Sequence, residues 1–185
     1  DGEDELGCSD MLSCPGQLRC VHENLCVDHD QVCDGIIHCK ISKDDESFCA
    51  DYNCPESCSC FIFSVICMSS TFPDLNTNTM SVALDNSTLG ENGITNQLYN
   101  LTNLVILSLQ NANVANVSEF VFKGNNLMFL LNLRTNQIKH ILPYSFFSLS
   151  LLYYLNIGHN CVTHLEEYSF QFLHSLRYLY LDSLC

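Results

Sequence analysis

A chain of 185 residues, 47% of them hydrophobic, has material for one sizeable core or for several small units in series. Its 21 acids against 7 Lys and Arg leave a net charge of −14, which argues against nucleic acid as a partner, because phosphate binding wants a basic face. Thirteen cysteines argue against a reducing compartment.

Eleven of those cysteines fall between Cys8 and Cys67, where no strong hydrophobic periodicity runs; only Cys161 and Cys185 come later. Dense cysteines in a segment with a poor core mark a secreted, disulfide-built region. Zinc is the rival reading, but zinc sites need tight Cys/His pairs, and here the spacings are mostly five or six residues. Charge is divided as unevenly. Residues 1–60 hold fourteen of the acids and only Arg19, Lys40 and Lys43 as bases, and such an acidic module suits a divalent cation or a basic protein ligand. The opening Asp1-Gly2-Glu3-Asp4-Glu5 lacks the basic start and apolar run of a signal peptide, so the chain reads as an excised piece.

From Cys14 the cysteines run Cys14, Cys20, Cys26, Cys33, Cys39, Cys49, the last three embedded in CDGIIHC and KDDESFC. This pattern over residues 14–49 resembles the class A module of the low-density-lipoprotein receptor. The resemblance implies bridges Cys14–Cys26, Cys20–Cys39 and Cys33–Cys49. It also implies a calcium ion, a hard cation wanting six or more oxygens, held by Asp34, Asp45 and Glu46 with the carbonyls of Gln31 and Ile36. The sequence departs from the family where an acid usually precedes the fifth cysteine. His38 stands there, and one extra residue separates Cys39 from Glu46. Imidazole is a poor calcium ligand, so the expected site is a weakened one; the alternative is a disulfide-only fold with solvated acids. Asp4, Glu5 and Cys8 repeat the end of the same motif, so residues 1–8 read as the tail of a preceding module.

After a short acidic linker, Cys54-Pro55 with Cys58, Cys60 and Cys67 resembles the N-terminal cap of extracellular leucine-rich repeats, here over 54–78. The resemblance implies the pairs Cys54–Cys60 and Cys58–Cys67. A cap is physically required, because the first coil of a solenoid otherwise exposes an apolar face and an open strand edge.

Over 79–185 a repeat of 24 residues appears, about four and a half copies with the last truncated. Leu104, Leu107 and Leu109 with Val114 are followed by Met128, Leu131, Leu133, Asn136 and Ile138, then by Leu152, Leu155, Ile157, Asn160 and Val162. A fourth copy begins Leu176, Leu179, Leu181, and a weaker first carries Val82, Leu84 and Leu89 near Thr79. Phe122, Phe146 and Phe170 keep the same spacing, as a stacked buried column on the convex side would. Between Lys139 and Glu166 there is no charged acid or base, yet Pro143, Asn156, His159, Asn160 and His164 and the 24-residue period argue against a membrane helix. Any membrane anchor is expected outside these residues. Cys161 and Cys185 occupy one place in consecutive repeats, which suits an inter-repeat bridge in an oxidising setting; the alternative is that Cys185 pairs with residues beyond these and Cys161 is an ordinary small apolar side chain.

The expected architecture is therefore a small disulfide-rich class A module followed by a capped leucine-rich-repeat solenoid, with short parallel strands on the concave face. Outward residues of those strands are Ile106, Ser108, Gln110; Leu130, Asn132, Arg134; Tyr154, Asn156, His159; and Tyr178, Tyr180, Asp182. Ile106, Leu130, Tyr154 and Tyr178 share one repeat position, so they form an apolar ridge roughly 15 Å long that calls for a cover. Ile106, Leu130, Arg134, Tyr154, Asn156, His159, Tyr178 and Tyr180 are the candidate ligand-binding residues; a neighbouring domain is the other candidate cover. Sequons at Asn86, Asn100 and Asn116 suit glycosylation in a secreted chain, and Asn86 is expected on the outward strand face of the first repeat.

Catalysis finds no support: no GxSxG, HExxH or glycine-rich phosphate loop is present, and the pair His159 and His164 beside Cys161 falls on a coil rim. Class A modules joined to capped leucine-rich repeats resemble the ectodomains of relaxin-type receptors and of the multi-module orphan G-protein-coupled receptors of molluscs and other invertebrates. The extra module tail fits the second group better. That resemblance implies an extracellular peptide or protein ligand and a place on the outer face of the plasma membrane. A secreted or matrix adhesion protein is the competing reading.

Overall fold

The computed structural model describes residues 14, 17–20, 22–28, 31–32, 34–46, 54–61, 63–89, 94 and 96–182. The chain forms two units, Asp1–Asn53 and Cys54–Cys185.

In the first unit, strands β1 (Leu18–Arg19) and β2 (Cys26–Val27) pair antiparallel with Leu18 opposite Val27. Its buried centre consists of Cys20, Val27 and Cys39, with Leu18 and Val32 packed against it. So little apolar burial cannot offset the entropy of ordering the loops, and covalent links supply the difference. Bridges join Cys14 to Cys26 and Cys20 to Cys39, with Cα separations of 5.6 and 5.5 Å. Cys33, Cys49 and the segment 1–8 lie outside the described residues.

The second unit is a stack of coils. Its strands are β3 (Cys58–Phe61), β4 (Ser64–Cys67), β5 (Ser81–Ala83), β6 (Ile106–Ser108), β7 (Leu130–Asn132), β8 (His140–Ile141), β9 (Tyr154–Asn156), β10 (His164–Leu165) and β11 (Tyr178–Tyr180). A seven-stranded sheet runs in the order β11-β9-β7-β6-β5-β4-β3. Only the β3–β4 hairpin is antiparallel, and it closes one end of the sheet. Two bridges staple it, Cys54–Cys60 and Cys58–Cys67.

In the seven-stranded sheet β5, β6, β7, β9 and β11 are each three residues long, and alternation points the middle residue of each inward. Val82, Leu107, Leu131 and Leu155 are fully buried at that position, one above another in register. Leu179 continues the column but is 42% exposed, since β11 is the last strand of the sheet. Phe122 and Phe146 are buried and stack with ring centroids 6.2 Å apart; Phe170, half-buried, adds a third ring at 5.5 Å.

Every coil must turn out of its strand, and a turning backbone leaves polar groups that the sheet cannot pair. Asparagines one period apart take up that task. Asn136 donates to the carbonyls of Leu109 and Leu133 and accepts from the amides of Ala112 and Val114. Asn160 donates to Leu133 and Ile157 and accepts from Ile138. On the opposite flank, β8 and β10 pair in parallel, and the hydroxyls of Ser145 and Ser169 donate to the carbonyls of Val117 and Ile141.

Candidate functional site

The exposed face of the seven-stranded sheet carries three rows of side chains that follow from its register. Ile106, Leu130, Tyr154 and Tyr178 pair directly across neighbouring strands and form the first row. Ile106 and Tyr178 are 38% and 48% exposed; Leu130 and Tyr154 are half-buried between them. Tyr154 also meets Tyr180, ring centroids 5.4 Å apart. An uncovered row of large apolar and aromatic side chains costs solvation that a partner would recover.

Sequence reasoning missed the residues that widen this row. Phe129 and Tyr153, one position ahead of the ridge, stack face to face at 4.9 Å, and Tyr153 meets Tyr178 edge-on at 5.3 Å. Phe129 is 47% exposed. Their 24-residue separation was the available signal. The hydrogen bond between Tyr153 and Tyr178 pushes the Tyr153 phenol above its ordinary range, with the neighbouring phenol's charge and partial burial acting the same way.

The second and third rows are polar. Asp85 accepts hydrogen bonds from the Ser108 hydroxyl at 2.6 Å and the Gln110 amide at 2.8 Å. Asn132 donates to Ser108 and Gln110, both at 3.2 Å. Asn156 departs from expectation: it is only 5% exposed, its Oδ1 accepts from the Gly158 amide at 2.9 Å, and its Nδ2 donates to the Tyr154 hydroxyl at 3.2 Å. Flanked in register by Tyr180, it supports the surface from beneath and is not itself open to a ligand.

His159 is also displaced from the strand face expected for it. The residue that continues the Gln110, Arg134 and Asp182 position is Gly158, and His159 follows in a left-handed turn with φ of 54°, as do Thr135 and Asn111 one and two periods earlier. Its ring still reaches the third row. Arg134 Nη2 lies 2.7 Å from His159 Nε2, and Asp182 Oδ2 lies 3.2 Å from the same nitrogen. Gly158 makes room for this cluster, since a Cβ there would come within 2.3 Å of Asp182 Oδ1. Asn86 is corrected likewise: it lies beyond β5 in a turn with φ of 59°, off the strand face. Asn100 and Asn116 are exposed.

The pair His159 and His164 forms no dyad with Cys161. Cys161 is disulfide-bonded and so offers no thiolate, His164 stacks on His140 at 4.8 Å, and His159 faces Arg134. The partner of Cys161 lies outside the described residues, as does Cys185.

In the first unit, Asp45 is fully buried and accepts from the amides of His38 and, at 3.1 Å, Cys39. Glu46 Oε1 is buried with no hydrogen-bond partner among the described residues. These two acids fit a hard cation, which would compensate buried negative oxygen. Asp34 does not fit as it stands: it accepts from the Ile36 amide at 2.8 Å and meets His38 Nε2 at 3.1 Å. Those contacts, the amide first, hold its carboxyl below the usual range. Gln31 is half-buried, its Oε1 accepting from the Asp28 amide at 3.3 Å, and Ile36 is exposed. The carboxylates of Asp34, Asp45 and Glu46 do not gather within 4.8 Å of one another.

With this geometry in hand, comparison with known proteins is specific to the repeats. The leucine-rich-repeat family model matches residues 102–160 and 131–183. No curated protein sequence matches the chain. Among solved structures, the crystal structure of the TLR13–ssRNA13 complex is similar, with 26% identity, a TM-score of 0.63 and coverage of 71% of this chain. The chain spans 20% of the length of that one. The fold is thus a disulfide-rich N-terminal region followed by a parallel-strand solenoid of leucine-rich repeats.

Proposed function

We propose that this chain is a ligand-binding part of the ectodomain of a G-protein-coupled receptor that joins class A modules to leucine-rich repeats, and that it takes an extracellular peptide or protein on the exposed sheet face. The observation that carries the binding surface is the aromatic band of Phe129, Tyr153, Tyr154, Tyr178 and Tyr180, lying beside a polar row that offers Gln110, Arg134, His159 and Asp182. Rigid aromatic anchors next to hydrogen-bonding groups are what protein interfaces concentrate at their energetic centre. Oxidised cysteines in both units support this reading, since such bridges persist in oxidising compartments.

The neighbour's title names single-stranded RNA as its partner. The charge here favours protein: the three rows contain one arginine, Arg134, already engaged with His159, and the position of Phe129 and Tyr153 adds one more, Arg177. Phosphate backbones require several cations. Calcium on Asp45 and Glu46, with Asp34 turning away from His38 to join them, is proposed as the support of the first unit; when bound, it would supply charge compensation for the buried carboxylates.

The receptor assignment is tested by extending the coding sequence past Cys185. Seven apolar spans support it, and a cysteine cap followed by a stop supports the secreted or matrix alternative. The binding surface is tested in the full receptor expressed on cells, by fractionating peptide extracts of the source tissue for activation. Tyr154→Ala and Tyr178→Ala should each weaken the response to an active fraction by roughly tenfold or more, as hot-spot aromatics do. Unchanged potency in both would move the site elsewhere.

A further inference from the structure

We propose that the groove formed by the turns after β5, β6 and β7 is the seat of an N-linked glycan carried by Asn86, with the first N-acetylglucosamine units held by amide and hydroxyl groups of the next two coils. The groove encloses about 510 Å³, and Asn86 is among its lining residues, together with Thr88, Asn111, Asn113, Thr135 and Gln137. That volume falls within the ~300–1,000 Å³ range of small-ligand clefts. It is lined by neutral side chains with no acid, base or aromatic ring, and their amides and hydroxyls offer the donors and acceptors that a sugar's hydroxyls and acetamido group need.

Asn86 heads the triplet Asn86-Ser87-Thr88 and is exposed in a left-handed turn beyond β5, a surface setting that suits an acceptor asparagine. Its Oδ1 accepts from Asn111 Nδ2 at 2.9 Å, which fixes the amide plane through the oxygen and, among the described residues, leaves Nδ2 unengaged. In the secretory pathway that nitrogen would attack the anomeric carbon of a lipid-linked oligosaccharyl diphosphate. The N–C bond forms, the C–O bond to the diphosphate breaks, and Nδ2 gives up one proton. Within the groove, Gln137 Nε2 donates to Asn113 Oδ1, so each amide of this pair spends one end on the other. Among the described residues, Asn111 Oδ1, Asn113 Nδ2 and Gln137 Oε1 are left for the sugar. The repeat itself builds this row: Asn86, Asn111 and Thr135 each take the left-handed turn after successive strands. A glycan seated there runs along the turns and leaves the aromatic band of the sheet face open.

The test is the full chain secreted from eukaryotic cells, with site occupancy read by peptide mapping and release by an endoglycosidase followed on native and on reduced, denatured protein. Asn100 and Asn116, exposed sequons of the same chain, are the internal controls. Asn86 should be occupied, and its glycan should be released from the native protein roughly tenfold more slowly than the other two, the factor a few sugar hydrogen bonds of ordinary net strength would give. Denaturation should equalise the rates. The pair Asn113→Asp with Gln137→Ala, both on exposed positions, should remove the protection in protein that is still secreted. An unmodified Asn86, equal native rates at all three sites, or protection that survives the double substitution would overturn the proposal.

Discussion

Replacing Asn160 by Ala probes the device that lets the coils turn. The residue is 2% exposed and stands over a backbone that the sheet cannot pair. Its Nδ2 donates to the carbonyl of Leu133 at 2.9 Å and of Ile157 at 2.8 Å, and its Oδ1 accepts from the Ile138 amide at 3.0 Å. Leu133 retains a second donor in Asn136, whereas the Ile138 amide, belonging to a residue with no exposed surface, has no other hydrogen-bond partner shown among the described residues. Leaving a buried backbone group unsatisfied costs about 1–3 kcal/mol, so orphaning the Ile138 N–H and the Ile157 carbonyl should cost ~2–6 kcal/mol. Asn160→Asp keeps the acceptor and loses both donors, and it should sit near the upper end because a buried carboxylate is also placed against two carbonyls. Urea unfolding of the full chain with its disulfides intact, followed by far-ultraviolet circular dichroism, measures both. A loss below about 1 kcal/mol for Asn160→Ala, at an unchanged slope, would refute the claim that asparagine holds the turn, since it would equal an ordinary exposed substitution.

Leu155→Ala should cost ~2–5 kcal/mol by opening a cavity in the fully buried column, and Asn156→Ala, which strips a hydrogen bond from the Gly158 amide, should cost about 1–3 kcal/mol in the same unfolding experiment. A neutral Asn156→Ala would mean that the residue is open to solvent after all. His38→Asp should tighten calcium binding by the first unit in a calorimetric titration, because it removes the imidazole that engages Asp34 and adds a carboxylate; weaker or unchanged binding would detach this loop from the ion. Acidification should release Asp34 from its contacts only below the usual carboxylate range, since its folded pKa is lowered: the interaction is present above the unfolded pKa and is lost as pH falls through the folded one. Proton-detected titration of the Ile36 amide reports this, and a midpoint above the ordinary carboxylate value would contradict it. A fluorescent single-stranded RNA oligomer at physiological salt should show no anisotropy change with the full chain, and saturable binding would reverse the choice of protein over nucleic acid.

Much of the repeat unit could be read from residue order because its physics is periodic. A 24-residue spacing means that Leu107, Leu131 and Leu155 must occupy equivalent places in successive coils, and a parallel sheet in register then stacks them. The same argument places Ile106, Leu130, Tyr154 and Tyr178 in one exposed row, since alternation along a strand determines which side each faces. The bridges Cys14–Cys26 and Cys54–Cys60 were accessible only through family resemblance, because cysteine order alone admits many pairings.

What period and alternation leave open is depth, which depends on the volume of neighbours a full repeat away. Asn156 alternates outward like Asn132, yet it is buried because its register partner is Tyr180 and its own Tyr154 hydroxyl closes over it, where Asn132 has Ser108 on one side. His159 reaches Arg134 and Asp182 across neighbouring coils, and the Asp182 carboxylate lies in space that Gly158 leaves open, a fact about space between coils that no local pattern encodes. Asn86 leaves the strand face because β5 ends at Ala83 and the chain enters a left-handed turn, which brings it beside Asn111 at a sequence distance of 25 residues. Residue order thus determined the stacking of equivalent positions, through hydrophobic burial and hydrogen-bonded register, while only the packed coils decided which polar side chains are covered, which touch, and where a groove opens between them.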